Sequence, residues 1–501
     1  MNTMMLLEMA AQGFGERTAF VNGDDSFTYQ SLFDAAGRVA ATLRASGTRH
    51  LAMLDENSLA CPLGLYASSW AGIPYVPINY RLTAAEIDAL LERVKPCVLV
   101  TSPERAAAYA GREGLSVKSR DEFLAEARGD GAPAAEWSMD AEDVGVLLFT
   151  SGTTGVPKAA ILRQKHLVSY ILGSVEFCSA DEDDGALVCV PPYHVAGIAA
   201  VLSSVYSGRR VVQLANFSAE TWLELARRHH VSNAFVVPTM LARIVEALDG
   251  AASANLPKLR AISYGGGKMP LSVIERAMKL FPGTDFTNAY GLTETSSTIA
   301  VLGPQDHRDA VASDDPAVRR RLVSVGRALP GVEIQIRSDE GKVLGALERG
   351  EIYVRGEQVS GEYAGRGSAL DKDGWFPTRD AGSMDADGYL FLEGRADDVI
   401  VRGGENMSPG EIEDVLLEHA AVADAAVVGI PDEQWGEGVA AAVVLKPGRE
   451  ADCAELQGWV RQHLRSSRVP QCIEFWPTLP YNETGKLLRR VVKAELSKAA
   501  G

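Results

Sequence analysis

An almost wholly apolar run, residues 144–149, constrains the fold of this chain more than any other feature of its sequence. Such a run is typical of a strand that is buried on both faces of a sheet. Helical and strand patterns alternate around it, and residues 30–46 place their apolar side chains on one face of a helix. Further strands are expected at residues 233–237, 259–264, 351–355 and 388–392. This alternation predicts an α/β fold.

The length and the pattern together predict more than one domain. A chain of 501 residues is long enough for about three units of average size. We expect a large N-terminal domain, residues 1–395, built of several sheets with flanking helices. A small α+β C-terminal domain, residues 396–501, should follow. Its pattern comprises a capping box at 408–411, a helix to 420, strands at 425–430 and 439–445, and a helix at 453–464.

The chain is acidic, with 49 Lys and Arg residues against 66 Asp and Glu residues and a net charge of −17. Phosphate backbones and anionic membranes would repel it, which argues against general binding to nucleic acids or membrane surfaces. No stretch approaches the roughly 18 apolar residues of a membrane span, and the N-terminus lacks the basic start of an export signal. We therefore expect a cytoplasmic protein.

The cysteines are scattered along the chain, without a C-x-x-C pair. We interpret them as buried thiols of a reducing compartment rather than as a disulfide framework or a zinc site. They are Cys61, Cys97, Cys178, Cys189, Cys453 and Cys472.

A ten-residue segment, FTSGTTGVPK at 149–158, overlaps the end of the apolar run. Its glycines and small hydroxylated residues let backbone N–H groups approach an anion closely, and Lys158 adds a positive charge. It is not a Walker loop, because it lacks G-x-x-x-x-G-K-[ST] and because residues 159–162 have the pattern of a strand rather than a helix. The segment predicts a phosphate-binding turn.

The same segment resembles the phosphate-binding motif of adenylate-forming enzymes, the superfamily of acyl- and aryl-CoA synthetases, peptide-synthetase adenylation domains and firefly luciferase. Further resemblances follow in the family's order over nearly the whole chain. They are YGLTE at 290–294, WFPTRD at 375–380, GRADD at 394–398, GGEN at 403–406 and NETGK at 482–486. Chance does not explain so many matches in order, and the chain looks most like an acyl- or aryl-CoA ligase.

The resemblance implies an ATP-dependent carboxylate–CoA ligase that acts in two steps. A carboxylate attacks the α-phosphorus of ATP and expels pyrophosphate, and coenzyme A then displaces AMP from the acyl-adenylate. Lys486 would bridge the carboxylate and the α-phosphate, Thr293 would bond the α-phosphate, and Glu294 would hold Mg²⁺. Asp380 would accept hydrogen bonds from the ribose hydroxyls, assisted by Arg395.

Other roles follow from the same resemblance. His194, in the segment PPYHVAG at 191–197, would face the substrate carboxylate. Gly265, Gly266 and Ala289 would line the acyl group. The residues implied as ATP contacts are Thr150, Ser151, Gly152, Thr153, Thr154, Gly155, Lys158, Gly265, Gly266, Gly267, Asn288, Ala289, Tyr290 and Gly291.

The resemblance also implies movement and a site for coenzyme A. Asp397 is expected to be the hinge about which a mobile C-terminal domain rotates between the two half-reactions. Arg81, Trp435 and Arg468 are candidate contacts for coenzyme A. Arg468 lies in a tail, residues 461–498, with eight basic residues against three acidic ones. Such a tail indicates either a bound anion or a solvated helix face, and a homodimer is compatible with the sequence.

Three other functions stay open. The acyl group could pass to a carrier protein, the chain could bind adenylates without catalysis, or it could be a kinase-like phosphotransferase that forms ADP. The presence of Lys486 and Glu294 speaks against a non-catalytic binder. The lack of an aspartate in 191–197 speaks against an amino-acid adenylation domain. The acid is expected to be apolar, and an aromatic, alicyclic or fatty acid fits.

Four positions depart from the family's usual pattern. Arg379 stands where a glycine usually precedes the ribose aspartate, and Lys268 stands where proline is common. Val401 replaces a frequent lysine, and Tyr481 replaces a basic residue. None of these changes removes a catalytic group, and Lys268 could pair with a second carboxylate of the substrate.

Overall fold

The structure, a computed structural model, describes residues 1–150, 157–395, 398–402, 405–432, 435–482 and 487–499. Its contacts divide the chain into two compact units. The first comprises Met1–Val323, Arg327–Glu333 and Val354–Phe376, and the second comprises Ser324–Gly326, Ile334–Tyr353 and Pro377–Gly501. We expected the domain boundary after residue 395 because the C-terminal domain is proposed to rotate there. That boundary stays a prediction.

The helices are distributed over the whole chain. They are α1 (Met4–Phe14), α2 (Tyr29–Ser46), α3 (Ala60–Ala71), α4 (Ala84–Glu92), α5 (Pro103–Tyr109), α6 (Arg120–Ala127), α7 (Gln164–Ser174), α8 (Val195–Ser207), α9 (Ala219–Arg228), α10 (Pro238–Ala247), α11 (Leu271–Leu280), α12 (Pro304–Ala312), α13 (Pro316–Arg319), α14 (Pro409–Glu418), α15 (Cys453–His463) and α16 (Arg489–Ala499). Among the described residues, none of these helices combines the length and the apolar character needed to cross a membrane.

The strands alternate with the helices along the chain. They are β1 (Thr18–Asn22), β2 (Asp25–Thr28), β3 (His50–Leu54), β4 (Tyr75–Pro77), β5 (Cys97–Thr101), β6 (Leu115–Ser119), β7 (Val144–Thr150), β8 (Lys158–Arg163), β9 (Gly185–Val188), β10 (Arg210–Gln213), β11 (Asn233–Val236), β12 (Ala261–Gly265), β13 (Asp285–Leu292), β14 (Ser297–Leu302), β15 (Arg327–Ala328), β16 (Glu333–Arg337), β17 (Gly350–Arg355), β18 (Glu362–Tyr363), β19 (Gly367–Ser368), β20 (Phe376–Met384), β21 (Leu390–Arg395), β22 (Ile400–Arg402), β23 (Glu405–Met407), β24 (Val422–Asp432), β25 (Gly436–Leu445) and β26 (Cys472–Phe475).

Two large sheets form the first unit. One has the strand order β15-β14-β13-β12-β11-β9-β10-β1-β2, and its strands β13, β12, β11, β9 and β10 are parallel. The other has the order β19-β18-β8-β7-β4-β3-β5-β6, and its strands β7, β4, β3, β5 and β6 are parallel. Helices α1, α2, α3 and α8 share one apolar core with strands of both sheets. The predicted α/β class is confirmed.

The helix predicted at 30–46 is α2, and local chemistry sets both of its ends. The hydroxyl of Thr28 accepts a hydrogen bond from the N–H of Ser31 at 3.1 Å, and the hydroxyl of Ser31 accepts one from the N–H of Thr28 at 2.8 Å. These bonds satisfy donors that a helix start leaves unpaired. Gly47 ends the helix at φ +64, a conformation that glycine adopts without strain.

The apolar run at 144–149 is β7, which lies between β4 and β8. Its central residues Val146 and Leu148 are buried, as expected for a strand covered on both faces. The other strands predicted for the first 395 residues are β11, β12, β17 and β21, with bounds that shift by up to three residues.

The remaining strands form two further sheets. One has the order β16-β17-β20-β21. The other has the order β23-β22-β25-β24, with β26 beside β25. The long antiparallel pair β24 and β25 forms the centre of the second sheet. Helices α14 and α15 pack into one apolar cluster on it, and α16 packs into another. The strands and the helix predicted after residue 420 are confirmed.

The capping box predicted at 408–411 is wrong, although α14 begins at Pro409 as expected for a proline in the first turn. The side chain of Ser408 makes no cap hydrogen bond. Its hydroxyl donates instead to the backbone carbonyl of Glu393 on β21, at 2.7 Å. The hydroxyl that would cap the helix therefore makes a tertiary hydrogen bond instead.

The prediction of uniformly buried cysteines is also wrong, although all of the cysteines are free thiols. Three are buried: Cys61, Cys97 and Cys189. Cys178 is exposed in the connection between α7 and β9, and Cys453 and Cys472 are partly exposed. Scattered spacing therefore excludes a disulfide framework but does not establish burial.

Arg489, at the start of α16, forms a partly buried ion pair in the second unit. Its guanidinium donates to both carboxylate oxygens of Glu413 and to the carbonyl of Val427, the latter at 2.8 Å. Its Nε lies 3.6 Å from Oδ2 of Asp398. The side chains of Arg489 and Glu413 are only 18% and 8% exposed.

Replacing Arg489 by Met should destabilise the second unit by about 3 kcal/mol, because it leaves the charge of Glu413 buried without its partner. Urea unfolding followed by tryptophan fluorescence should show a lower midpoint for Arg489→Met than for Arg490→Met, which changes the exposed neighbouring arginine. Adding Glu413→Gln to Arg489→Met should recover part of the loss. Equal midpoints for the two single variants would contradict this role.

Candidate active site

Many of the residues predicted for the acid and the nucleotide lie at the carboxyl ends of the parallel strands in the nine-stranded sheet. β9 leads into the segment that contains His194, and β12 ends at Gly265. β13 ends directly before Thr293 and Glu294, which begin a short 3-10 helix. Neighbouring parallel strands end at one edge of a sheet, so these residues lie along one edge.

The strand order of this sheet reverses at β9. β10 lies on one side of β9, whereas β11, β12 and β13 follow on the other side. The connections therefore leave the carboxyl edge in opposite directions and open a crevice, the usual ligand position in open α/β sheets. Residues 191–197 begin at this crevice, so topology alone marks the segment of His194 as a ligand site.

The described residues on either side of the predicted phosphate-binding turn lie at the carboxyl edge of the other large sheet, where β7 ends. Thr150 at the end of β7 pairs directly with Lys158 at the start of β8. Arg93 contacts a residue on each side: its guanidinium lies 4.8 Å from the ring centroid of Phe149 and donates to the carbonyl of Pro157 at 2.7 Å. The predicted contacts Ser151, Gly152, Thr153, Thr154 and Gly155 lie outside the described residues.

Side-chain contacts join the carboxyl edges of the two sheets. The buried amide of Asn57, after β3, donates to the carbonyls of Val190 and Leu214 at 3.0 and 3.1 Å. Tyr80, after β4, meets Tyr193 with ring centroids 5.4 Å apart and the planes near perpendicular. The segments predicted for the acid and for the phosphates therefore lie together in the first unit.

Glu294 and Lys158 meet at a third side chain, that of Tyr363 on β18. The hydroxyl of Tyr363 donates to Oε1 of Glu294 at 2.6 Å, and Nζ of Lys158 lies 5.4 Å from the centroid of the Tyr363 ring. The N–H groups of Ser360 and Gly361 donate to the backbone carbonyl of Glu294 at 2.8 and 3.2 Å. One framework therefore fixes both the carboxylate and the lysine at the end of the turn.

Two glycines of the site cannot carry a side chain without movement of the backbone. A Cβ on Gly265 would lie 2.2 Å from the carbonyl oxygen of Ala289, its partner on β13. A Cβ on Gly291 would lie 1.7 Å from the carbonyl oxygen of Ser297. Both distances are far inside van der Waals contact, so glycine at these positions permits the close approach of the chain segments.

The other predicted contacts around β12 and β13 differ in exposure. Asn288 and Tyr290 are buried, and Ala289 is half-buried. Gly267 and Lys268 are exposed beyond the end of β12. The edge is thus lined by small or neutral side chains, with Lys268 as a cation beside them.

His194 stands at the N-terminal end of α8. Its Nε2 is inaccessible to solvent and has no hydrogen-bond partner among the described residues. Burial, and to a smaller extent the charge of Arg81, lowers the pKa of His194 to about 4. The site therefore presents a neutral imidazole that can hydrogen-bond to a ligand without adding a charge.

The two residues predicted to contact the ribose are strand partners. Asp380 on β20 pairs with Arg395 on β21, next to a bulge in the ladder. The preceding residue, Arg379, has φ +63, in the left-handed region that favours glycine. Its N–H donates to Oε1 of Glu351 at 3.1 Å. The glycine usual in the family motif therefore fits the backbone here, and Arg379 adopts the same conformation.

Lys486 and Asp397, the predicted catalytic lysine and hinge, lie outside the described residues. On either side of Lys486 in the sequence, Tyr481 and Leu487 form an antiparallel bridge. The hydroxyl of Tyr481 donates to the carboxylate of Asp424 at 2.9 Å. The roles of Lys486 and Asp397 stay predictions.

The candidate contacts for coenzyme A belong to different units. Arg81 lies in the first unit, and Trp435 and Arg468 lie in the second. Trp435 is exposed, and the guanidinium of Arg402 lies 5.8 Å from its ring centroid. Arg402 also donates to the carbonyl of the residue before Arg468 at 2.7 Å. The structure thus brings Trp435 and Arg468 near each other, while Arg468 already donates to Glu411 at 2.7 Å.

The residues present fit a Mg²⁺ ion that arrives with a triphosphate. The described residues contain no group of three His, Cys, Asp or Glu side chains that could hold a metal by themselves. Mg²⁺ in nucleotide sites is commonly held by one or two carboxylates together with phosphate oxygens and water. Glu294, with one oxygen bonded to Tyr363, can supply the other oxygen to such an ion.

Two family models match the chain. The model of AMP-binding enzymes covers residues 7–364, and that of the AMP-binding enzyme C-terminal domain covers residues 411–486. The chain belongs to the family of AMP-binding enzymes. The motifs at 149–158 and 290–294 lie in the first match, and Lys486 ends the second.

Individual relatives agree with the family models. The feruloyl-CoA synthase of an Amycolatopsis species is 33% identical over 486 residues, 95% of each chain. The o-succinylbenzoate CoA synthetase of Bacillus subtilis, solved with its acyl-adenylate intermediate, has a TM-score of 0.84 at 30% identity over 97% of each chain. The same synthetase solved with ATP and magnesium has a TM-score of 0.82 at 29% identity, over 97% of this chain and 98% of that one.

The family predicted from the motifs is therefore confirmed. The class of enzyme is confirmed with it: an AMP-forming acid–thiol ligase that uses ATP, Mg²⁺ and coenzyme A. The roles of individual residues stay predictions, because similarity of the whole chain does not test them one by one.

Sequence reasoning missed two residues of this AMP-binding enzyme that organise the site. Tyr363 lies in a strand of two residues, too short to show any alternation, and its role depends on the pairing of β18 with β8. Asn57 follows the buried strand β3, and a polar residue at the carboxyl end of a buried strand is a signal that could have identified it. Its partners Val190 and Leu214 are distant in sequence and have no motif.

The buried state of His194 predicts a pH-dependent stability. Its pKa in the folded chain, about 4, lies below the ordinary value of 6.5. Between these values the unfolded chain binds a proton that the folded chain does not, so stability should fall as the pH drops, by at most about 1.4 kcal/mol per pH unit. The thermal midpoint of His194→Asn should therefore depend less on pH than that of the parent protein.

His463→Asn is the matched control, because it makes the same substitution at an exposed histidine of the second unit. Parallel curves of melting temperature against pH for the parent and both variants would show that the imidazole of His194 is not held neutral by the fold.

Proposed function

We propose that this AMP-binding enzyme joins an aromatic carboxylic acid to coenzyme A. In the first half-reaction a carboxylate oxygen forms a bond to the α-phosphorus of ATP, and the bond to pyrophosphate breaks. In the second the thiol loses its proton, its sulfur bonds to the acyl carbon, and AMP leaves with the electron pair of the broken C–O bond. The products are the thioester, AMP and pyrophosphate.

The observations that support the proposal are that Lys158 and Glu294 both contact Tyr363, and that the sheet edge that carries Glu294 also carries His194. A carboxylate and a triphosphate repel each other, so the site has to align them and place cations and neutral donors around both. Lys158 supplies charge at the phosphate turn, and the hydroxyl of Thr293 supplies a donor. His194 faces the carboxylate as a neutral imidazole. Mg²⁺, held by Glu294, neutralises charge on the phosphate oxygens when bound.

The small residues at the end of β12 support an aromatic acid. A Cβ on Gly266 or Gly267 would approach only Val237 or Pro238, each at 3.7 Å, so the backbone leaves open space beside two apolar side chains. A flat ring could pack against them. The feruloyl and succinylbenzoate groups in the relatives' names both contain a benzene ring, which supports the same class.

A pyrophosphate-release assay over a panel of acids tests the proposal. The panel contains a hydroxycinnamate, a benzoate with a second carboxylate, an alicyclic acid and a medium-chain fatty acid, each with and without coenzyme A. We expect the aromatic acids to release pyrophosphate fastest, with sustained turnover only when coenzyme A is present. A preference for the benzoate with two carboxylates would point to Lys268 as the partner of the second one.

Other outcomes of the same assay would overturn parts of the proposal. ADP instead of AMP as the nucleotide product would indicate a phosphotransferase. Turnover that requires an acyl-carrier protein and ignores coenzyme A would favour a carrier-loading ligase. Preference for the fatty acid would contradict the aromatic class.

The proposal includes a rotation that lets one site serve two steps. The domain of residues 396–501 turns about Asp397, which presents Lys486 for adenylation and then residues 403–406 for thioester formation.

The proposal also assigns the remaining contacts. Asp380 and Arg395 bind the ribose, and Arg81, Trp435 and Arg468 bind coenzyme A. The exposed ring of Trp435 beside Arg402 supports stacking on the adenine. We place the protein in the cytoplasm, and a homodimer is compatible with the proposal.

Lys486→Ala should slow adenylation by on the order of 10²–10³-fold, the loss expected when one transition-state donor is removed. Pyrophosphate release in single-turnover assays measures this step. Thioester formation from supplied acyl-adenylate should be far less affected, because the rotated domain no longer uses Lys486.

Lys498→Ala is the matched control, since Lys498 is an exposed lysine paired with Glu495 in the same tail. It should leave both half-reactions unchanged. Equal loss of both half-reactions in Lys486→Ala would argue against separate arrangements of the C-terminal domain.

A further inference from the structure

Tyr363 stands between two opposite charges that a phosphate site needs. Its hydroxyl bonds to the carboxylate of Glu294, and its ring carries the ammonium of Lys158 on one face. In the part of the chain that the structure describes, no ion pair joins Lys158 to a carboxylate. An aromatic face attracts an ammonium without neutralising its charge.

A direct salt bridge between Lys158 and Glu294 would work against the reaction. The lysine would lose the charge with which it meets the phosphates, and the carboxylate would lose the charge with which it meets a cation. Each substrate would then have to break a partly buried ion pair before binding. A spacer between the two groups avoids this competition.

The strand that carries Tyr363 is fixed firmly enough to act as such a spacer. Tyr363 pairs with Ala160 on β8, two residues beyond Lys158. The neighbouring Glu362 accepts two hydrogen bonds from the guanidinium of Arg163, at 2.8 and 2.7 Å. The ring is therefore anchored to the strand that follows the phosphate turn.

We infer that Tyr363 is a positioning residue that keeps Lys158 and Glu294 apart. Its hydroxyl orients the carboxylate of Glu294 toward a divalent cation, and its ring holds Lys158 ready for the nucleotide phosphates. The inference rests on the proposed function, in which Glu294 binds the metal and Lys158 binds ATP.

Two variants separate these roles. Tyr363→Phe keeps the ring and removes the hydrogen bond, so it should weaken divalent cation binding alone. Tyr363→Leu removes both, so Lys158 and Glu294 can pair, and binding of the cation and the nucleotide should both suffer. Tyr109→Phe is the matched control, because the ring of Tyr109 also carries a cation, the guanidinium of Arg112 at 4.5 Å, in another part of the first unit.

Binding to the full-length protein tests the inference without catalysis. Mn²⁺ affinity is measured by electron paramagnetic resonance with saturating α,β-methylene-ATP, and affinity for that analogue alone is measured by calorimetry in EDTA. We expect Tyr363→Phe to weaken Mn²⁺ binding about tenfold, as for loss of one hydrogen bond to a charged group, and to leave analogue binding unchanged. Tyr363→Leu should weaken both. Unchanged Mn²⁺ affinity in Tyr363→Phe would overturn the inference.

A second substitution distinguishes spacing from mere support of the fold. Glu294→Gln added to Tyr363→Leu removes the carboxylate that would capture Lys158, so analogue affinity in EDTA should return toward that of the parent protein. A purely structural defect would not be rescued, and lack of rescue would overturn the spacer role. Glu294→Gln alone has to weaken Mn²⁺ binding; if it does not, the inference is wrong.

Failure of the proposed function would look different. If no acid in the panel releases pyrophosphate, the reaction is wrong, while the Mn²⁺ and analogue affinities still decide the role of Tyr363. If the acids react and Tyr363→Phe binds Mn²⁺ like the parent protein, the reaction stands and the inference falls.

Discussion

Repulsion between anions is the constraint on which this site depends. A carboxylate has to approach a triphosphate within a chain whose own net charge is −17. The average field of the protein opposes both substrates, so the useful cations have to be local and kept from the chain's own carboxylates. Arg163 and Lys158, at the two ends of β8, illustrate the difference. Arg163 donates hydrogen bonds to Glu362 and thereby anchors β18 to β8. Lys158 lies over the ring of Tyr363, so its charge stays available for a ligand.

The second unit uses many of its cations for structure. The basic tail indicated either a bound anion or a solvated helix face, yet Arg468 is bound by Glu411 and Arg489 by Glu413. Lys493 likewise pairs with Glu437. A run of positive charge in a sequence is therefore weak evidence for an anion site, because acidic partners from other elements can satisfy it. The exposed ring of Trp435, by contrast, lies beside the guanidinium of Arg402, an arrangement on which a nucleotide base could stack.

Local features of this chain were predictable and distant ones were not. β7 follows from neighbouring residues, namely an apolar run. The joining of the two sheet edges depends on Asn57, which reaches Val190 across 133 positions of the chain. Tyr363 likewise reaches Glu294 across 69 positions. The capping box predicted at 408–411 failed because the hydroxyl of Ser408 donates to a strand carbonyl that the sequence does not reveal.

Unusual backbone conformations occur beside two of the proposed ligand carboxylates. Ser296 and Ser297, at φ +57 and +112, follow Glu294, and Arg379, at φ +63, precedes Asp380. Such conformations cost roughly 1–3 kcal/mol in residues other than glycine and persist where surrounding bonds enforce them. The hydroxyl of Ser296 donates to the carbonyl of Gln358 at 2.9 Å, and the N–H of Arg379 donates to Glu351. In both places the backbone next to an acidic residue adopts a left-handed conformation. The glycine usual in the family motif adopts this conformation without strain. Here Arg379 adopts it, held by the carboxylate of Glu351.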